Sequence, residues 1–174
     1  VIELHEHISM KFLENFRGIG DVIVPWSGGK DSTCALILAL RVFKDVVPVF
    51  IDTGLEFPET IEYVEEVSRR LGLKVEFEHA GIDRELRSRG LPSIENRWCT
   101  KLKISALYRA IRRLSDNPVV VVGDRDVESR LRSMRAPARR HEFVFQLAPM
   151  KFWPTWLAQL YPIYVGLPLN RLYI

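Results

Sequence analysis

The chain is poor in cysteine and histidine, and it has no long apolar run and no internal repeat. Cys34 and Cys99 are its two cysteines, too few for a disulfide framework or for a four-cysteine zinc or iron–sulfur site within the chain. A reducing, cytoplasmic setting is the expectation. No stretch reaches the roughly 18 apolar residues of a membrane helix. Glu3, Glu6 and Glu14 occupy the region where a signal peptide would be basic and then apolar. These features argue against membrane spanning and secretion. The four histidines, His5, His7, His79 and His141, lack ligand spacing apart from a His5-x-His7 pair on an expected surface helix. No structural metal is expected.

What is present suits one globular domain over residues 1–174, with 47% hydrophobic and 27% charged residues. The net charge of +3 is unevenly spread. Residues 1–80 carry 8 Lys/Arg against 14 Asp/Glu, whereas residues 81–141 carry 15 against 7. Arginine supplies 18 of the 25 basic residues, and its planar fork suits phosphate or sulfate. A polyanionic ligand is one reading; a solvated or ion-paired surface is the other.

Ile8, Phe12, Leu13 and Phe16 recur at helical spacing and predict a helix over 5–17 within an N-terminal segment 1–20. Asp21 to Trp26 reads as a strand, Ser27 to Gly29 as a glycine turn, and Asp31 to Phe43 as a helix. The unit repeats with a strand at 46–51 and a helix at 58–71, Gly72 standing at the C-cap position. A strand at 74–78, a helix at 100–114 and a strand at 118–122 follow. This alternation predicts an α/β fold: a doubly wound, mostly parallel sheet with helices on both faces. Residues 149–174 form an aromatic tail with four prolines, expected to pack on the domain and to continue in a longer parent protein.

Three segments fall at the carboxyl ends of predicted strands, where a parallel sheet opens its ligand crevice. The first is Ser27-Gly28-Gly29-Lys30-Asp31-Ser32. Its glycines allow close backbone approach, the helix amides face an anion, Lys30 adds charge, and Ser27 and Ser32 add hydroxyls. It lacks the longer glycine spacing of a Walker A loop; an ordinary capped turn is the plainer account of the same residues. The second runs from Asp52, Thr53 and Gly54 to Phe57-Pro58-Glu59-Thr60: the first pair can reach a ligand's hydroxyl or amino groups, or simply cap a helix. The third is Gly123-Asp124-Arg125, followed by Glu128 and Arg132 at the spacing of a helical ion pair. A basic solvated helix accounts for Arg130, Arg135, Arg139 and Arg140. Between the second and third lies Arg97-Trp98-Cys99-Thr100-Lys101, a cysteine near a helix N-terminus among basic residues that favour a thiolate. A buried filler is the alternative for Cys99, and Cys34 reads as core.

These segments, in this order, resemble the phosphoadenylyl-sulfate (PAPS) reductase family of the adenine nucleotide α-hydrolase-like superfamily. The Pro149, Trp153 and Leu167 to Tyr173 region extends the resemblance to roughly residues 20–173. It implies an adenine nucleotide (PAPS, APS or ATP) held by Ser27, Gly28, Gly29, Lys30, Asp31, Ser32, Asp52, Thr53, Gly54 and Arg125, with Lys30, Cys99 and Arg125 in catalytic roles and Arg132 as a further candidate ligand contact. Cluster-bearing relatives have paired cysteines where Trp98-Cys99 stands, so no iron–sulfur cluster is expected from this chain alone. The terminal segment with the reductases' nucleophilic cysteine is missing too.

Three functions stay open on this reading. One is sulfonucleotide reduction, in which a thiolate attacks the sulfate sulfur and a thiol electron donor follows. The second is ATP cleavage between the α and β phosphates with Mg²⁺, adenylylating a substrate for sulfur transfer. A sulfur carrier, or a nucleic acid meeting residues 125–140, would then be a partner. The third is a nucleotide-binding module without turnover. A homodimer is compatible with all three.

Overall fold

In the computed structural model, which describes residues 1–173, hydrophobic segments separated by glycine-rich turns build one six-stranded sheet. The chain runs α1 (Ile2–Glu14), β1 (Asp21–Pro25), α2 (Lys30–Val42), β2 (Val46–Asp52), α3 (Pro58–Leu71), β3 (Glu76–His79) and α4 (Ile82–Arg89). It continues through α5 (Trp98–Leu114), β4 (Pro118–Val121), α6 (Arg130–Ser133), β5 (Ala138–His141), β6 (Val144–Leu147) and α7 (Thr155–Tyr164). The strands lie in the order β3-β2-β1-β4-β6-β5. All pairs are parallel except the β5–β6 hairpin at one edge.

Alternation along the central strands shows why both faces are covered. Val22 and Val24 of β1 enter one core and Ile23 the other; Val119 and Val121 of β4 join the first, Val120 the second. Side chains of period two on a sheet buried on both sides produce this split. The larger core receives α1, α2, α3 and α7, through residues such as Leu13, Leu36, Val64 and Leu157. On the opposite face α5 supplies Ala110 and Ile111, and Ile82 of α4 meets Trp98 and Ala106 in a third cluster. The chain thus winds outward through β1, β2 and β3, then returns by α5 to place β4 on the other side of β1. That reversal leaves the crevice of a doubly wound fold beyond β1 and β4.

Local chemistry sets the element ends. Pro58 opens α3 and Gly72 closes it in the left-handed region at φ +63°, with the Leu73 amide returning to the Ser68 carbonyl. In α7, Pro162 has no N–H to give the Ala158 carbonyl, and the buried Cys34 thiol donates to that oxygen at 3.4 Å. The aromatic tail packs where the N-terminal helix does. Trp153 Nε1 donates to Ser9 Oγ at 2.9 Å, Ser9 Oγ donates to the Pro149 carbonyl at 2.7 Å, and the Tyr161 hydroxyl donates to Glu6.

Several expectations shift. The opening helix covers 2–14 rather than 5–17, and it buries Ser9 and Leu13 while Ile8 stays exposed. Ser9 owes its burial to its two tail partners. Residues 126–133 form a 3₁₀ turn and a single helical turn instead of a basic helix. Arg139 and Arg140 lie on β5, whose hairpin turn passes through Glu142 at φ +52°. Ile174, the last residue of the predicted tail, lies outside the described residues.

Candidate functional site

The site begins where β1 stops. Trp26 is buried, its amide continuing the ladder to the Val49 carbonyl and its indole N–H donating to Thr33 Oγ1 at 2.9 Å. Trp26 thereby ties the strand end to the first turn of α2. Gly28 then turns the chain at φ +71°, and a Cβ there would stand 3.2 Å from both Thr60 and Val64 of α3. Ser32 Oγ donates to the Gly29 carbonyl at 3.0 Å, accepts from the Ser27 amide at 3.2 Å and lies 3.1 Å from Ser27 Oγ. The loop is therefore braced by its own hydroxyls. The amides of the first turn of α2 have no helix carbonyl to reach, which leaves a positive helix end at the loop.

Gly123, just past β4, packs directly under that turn. A Cβ at Gly123 would stand 2.5 Å from the Asp31 carbonyl oxygen. The close approach carries the chain to Arg125, which is 2% exposed. Its Nε donates to Asp31 Oδ1 at 2.7 Å and its Nη1 to Thr155 Oγ1 at 3.2 Å, while its amide donates to Glu128 Oε2 at 3.0 Å. Asp31 Oδ2 accepts from Lys30 Nζ at 2.9 Å. Lys30, Asp31 and Arg125 thus form one charged chain beside the glycine turn, with two cations to one carboxylate.

The tail encloses this loop. Asn170, 4% exposed, donates through Nδ2 to the Gly28 carbonyl and to Thr60 Oγ1, both at 3.3 Å. Lys30 Nζ sits 5.5 Å from the centroid of the Tyr173 ring, within cation–π range. Sequence reasoning placed Asn170 and Tyr173 in the tail without a role. A lone asparagine between Leu167-Pro168-Leu169 and Arg171-Leu172 was the available signal.

Beside the loop, a crevice of about 260 Å³ is walled by Pro25, Trp26, Ser27, Val49, Phe50 and Ile51 from the sheet and by Ile104 and Leu107 from α5. Glu56 and Lys103 are its charged lining residues. An apolar cleft with a few polar groups, next to an anion-facing loop, has the make-up of a small-molecule site. Neither Glu56 nor Lys103 was singled out as a ligand from the sequence.

Asp52, Thr53 and Gly54 stand behind that wall. Asp52 Oδ1 accepts from the Gly54 amide at 2.8 Å; Thr53 Oγ1 accepts from Leu55 at 3.2 Å and donates to Glu56 Oε1 at 2.8 Å. Gly54, at φ +75°, has Asp83 where a Cβ would go. The turn therefore holds Glu56, and neither Asp52 nor Thr53 lines the crevice. Cys99 is set apart as well. It is partly exposed in a separate hollow of about 830 Å³ with Pro92, Ile94, Arg97 and Thr100, one helical turn before Lys103 on α5. Cys34 is wholly buried, and burial, reinforced by the Asp31 charge, pushes its thiol pKa well up. The Arg132 guanidinium pairs with Glu128 and Asp124 instead of reaching the loop. Among the described residues no three His, Cys, Asp or Glu side chains converge as a metal site, and no helix is long and apolar enough to cross a membrane.

Comparison with known proteins agrees with this fold. A family model for the phosphoadenosine phosphosulfate reductase domain matches residues 21–174. An uncharacterised protein of Methanocaldococcus jannaschii is 33% identical over 182 residues, spanning 99% of this chain and 38% of that protein. Among solved structures, the PAPS reductase of Candida auris in its phosphate complex has a TM-score of 0.72 at 16% identity, covering 99% of this chain and 89% of that one. The FMN adenylyltransferase of Candida glabrata, with FMN and an ATP analogue, has a TM-score of 0.71 at 17% identity, covering 99% and 60%. The two structural likenesses establish the fold alone.

Proposed function

Because the chain belongs to the phosphoadenosine phosphosulfate reductase family, we propose that residues 1–174 are one nucleotide-binding domain that holds an adenine nucleotide and acts on its anionic end. The adenine and ribose take the crevice between Trp26, Val49 to Ile51 and α5. Phosphate or sulfate oxygens take the amides of Gly28, Gly29 and the first turn of α2. The observation that carries this reading is the Lys30–Asp31–Arg125 chain beside the loop, whose second cation is left without a carboxylate of its own. An incoming phosphate supplies the missing negative charge, in charge-assisted bonds stronger than neutral ones. Asp31 on this reading holds Lys30 and Arg125 in place, and Asp52 and Thr53 act through Glu56.

Two reactions break a bond at that end. In sulfonucleotide reduction a thiolate attacks sulfur, the S–O bond to the nucleotide phosphate breaks, and the nucleotide leaves with the electron pair. A thiol donor then reduces the S-sulfonate to sulfite. Cys99 is the accessible thiol for this step. In the second reaction an oxygen of the acceptor attacks the α phosphorus of ATP, the bond to the β phosphate breaks and pyrophosphate leaves with the electron pair, and Mg²⁺ would travel on the phosphates, which rarely need a protein cage for it. The position of Cys99 outside the crevice favours this second reaction.

Calorimetric titration with PAPS, APS and ATP plus Mg²⁺ in parallel tests both. Preference for PAPS or APS supports reduction; preference for ATP supports adenylylation. Absence of binding by all three overturns the nucleotide reading, as would a Lys30→Ala chain that binds unchanged.

A further inference from the structure

We propose that Asn170 is a positioning residue for the anion loop: it holds the Gly28 carbonyl from the tail and so turns the Gly29 amide toward the phosphate or sulfate oxygens of the ligand. The inference deepens the nucleotide reading above and rests on it.

Asn170 is 4% exposed, and a polar amide at that depth is costly unless it is hydrogen-bonded. Both polar atoms of its side chain are engaged. Oδ1 accepts from the Leu172 amide at 3.0 Å, which fixes the orientation of the side chain because a backbone N–H can only donate. The NH₂ group is therefore the end that faces the Gly28 carbonyl and Thr60 Oγ1, with one hydrogen for each, both at 3.3 Å. The turn to Leu172 does not explain the choice of residue. An aspartate closes the same turn with its oxygen, but only the amide also donates.

What that donation holds is the least constrained peptide of the loop. On one side the Ser27 amide donates to Ser32 Oγ at 3.2 Å; on the other the Gly29 carbonyl accepts from Ser32 Oγ at 3.0 Å and from the Thr33 amide at 2.9 Å. Between them, among the described residues, Asn170 alone bonds to the Gly28–Gly29 peptide. Both residues are glycine and Gly28 stands at φ +71°, so reversal of that peptide meets no steric bar from a Cβ. The bond to Asn170, made across 142 residues of sequence, selects one of its two directions.

The direction selected is the one an anion needs. The peptide is trans, so its C=O and N–H point to opposite sides. Asn170 and Thr60 draw the carbonyl toward α3, whose Tyr63, Val64 and Val67 pack on one face of the sheet. The Gly29 amide is thereby turned to the side of α5, where Ile104 and Leu107 wall the crevice. With the peptide reversed, a carbonyl oxygen would face the incoming anion in place of a donor.

Labelling the chain with glycine that carries ¹³C in its carboxyl and ¹⁵N in its amine tests this by magnetic resonance. Gly28-Gly29 is the single pair of adjacent glycines, so the Gly29 amide is the one glycine signal coupled to a labelled carbonyl. In the parent chain that signal should shift on titration with PAPS or with ATP plus Mg²⁺, as the amide meets an oxygen. Asn170→Leu should lose the shift and bind about tenfold more weakly or worse at every pH, the value of one hydrogen bond to a charged group. Asn170→Asp presents a carboxylate to the Gly28 carbonyl near neutral pH and should bind more weakly still. Its protonated carboxyl regains a donor. Affinity relative to the parent, and the Gly29 shift with it, should therefore recover between about pH 7 and about pH 5, burial favouring the neutral form. Loosening of the tail alone gives no such profile. Thr60→Val removes the other acceptor but keeps the Gly28 bond, and should bind as the parent does. The proposal is overturned by an Asn170→Leu chain that binds and shifts like the parent. It is overturned equally by a Thr60→Val loss as large as that of Asn170→Leu, which would make docking of the tail the cause. An Asn170→Leu chain that does not fold leaves the decision to Asn170→Asp, where no recovery on acidification overturns the proposal. A parent chain that binds neither nucleotide removes the nucleotide reading, and the proposal with it.

Discussion

Arg125 Nε donates to Asp31 Oδ1 at 2.7 Å across 94 residues of sequence, joining the chain after β4 to the first turn of α2. The guanidinium is buried and its carboxylate partner largely so. The cost of breaking such a pair depends on which partner is removed. Asp31→Ala leaves a buried cation without its anion and should destabilise the fold by about 3 kcal/mol or more. Arg125→Met removes the charge that needs a partner, and Asp31 keeps Lys30, so its cost should be clearly smaller. Urea denaturation of both variants checks the asymmetry. Equal losses would mean that the pair is not as desolvated as its geometry implies.

Lys30 is the member of that chain free to meet a ligand. Lys30→Ala should weaken nucleotide binding by roughly 10- to 100-fold, the range for one hydrogen bond to a charged group. Tyr173→Leu removes a ring that holds the ammonium by cation–π attraction alone, and should weaken binding by only about 2- to 5-fold. Calorimetry on both variants gives the ratio. A Tyr173→Leu loss as large as that of Lys30→Ala would assign the ring a direct contact with the nucleotide.

Much of this site was legible because its parts are local. The glycine turn and the helix start at 27–32 are written in consecutive residues, and so is the Pro58 to Gly72 helix. Partners brought together by topology were not legible. Nothing near Gly123 in the sequence says that Asp31 will pass 2.5 Å from its missing Cβ. Thr53 looked like a ligand because it ends a strand, yet its hydroxyl is occupied by Leu55 and Glu56. The β5–β6 hairpin escaped notice for a different reason. Its turn uses Glu142 at positive φ where glycine or asparagine would have signalled it. Its first strand, Ala138 to His141, is basic, as suits an exposed sheet edge.

Gly123 offers a test of that topology. The Gly123→Ala methyl would meet backbone rather than a flexible side chain, so α2 or the β4 end must move. The expected cost is about 1–3 kcal/mol. At this chain length that is a fall of roughly 2–4 °C in Tm for each kcal/mol. Because the displaced turn carries Lys30, nucleotide affinity should fall in the same variant. An alanine at 123 that alters neither Tm nor affinity would contradict the close passage of β4 beneath the loop.

Pro162, Ala158 and Cys34 couple stability to alkaline pH. The thiol donates to the carbonyl that Pro162 leaves unpaired, and burial raises its pKa. Below about pH 8.5, the ordinary range of a free cysteine, both folded and unfolded chains hold the proton. Above it the unfolded chain ionises while the folded one does not, so the unfolded state binds fewer protons and stability falls as pH rises. The slope approaches about 1.4 kcal/mol per pH unit for this one group. The Tyr161 hydroxyl is also pushed up by burial and by Glu6, but its contribution begins only above about pH 10, where tyrosine normally ionises. The window between the two isolates Cys34. Cys34→Ser keeps a donor for Ala158 and removes the thiol, so its stability should vary less with pH there. Cys34→Ala should share the flatter profile but start about 1–3 kcal/mol lower, because the Ala158 carbonyl then stays buried and unpaired. Urea midpoints at several pH values on the three chains separate these cases. A parent profile no steeper than that of Cys34→Ser would remove the thiol from the alkaline response.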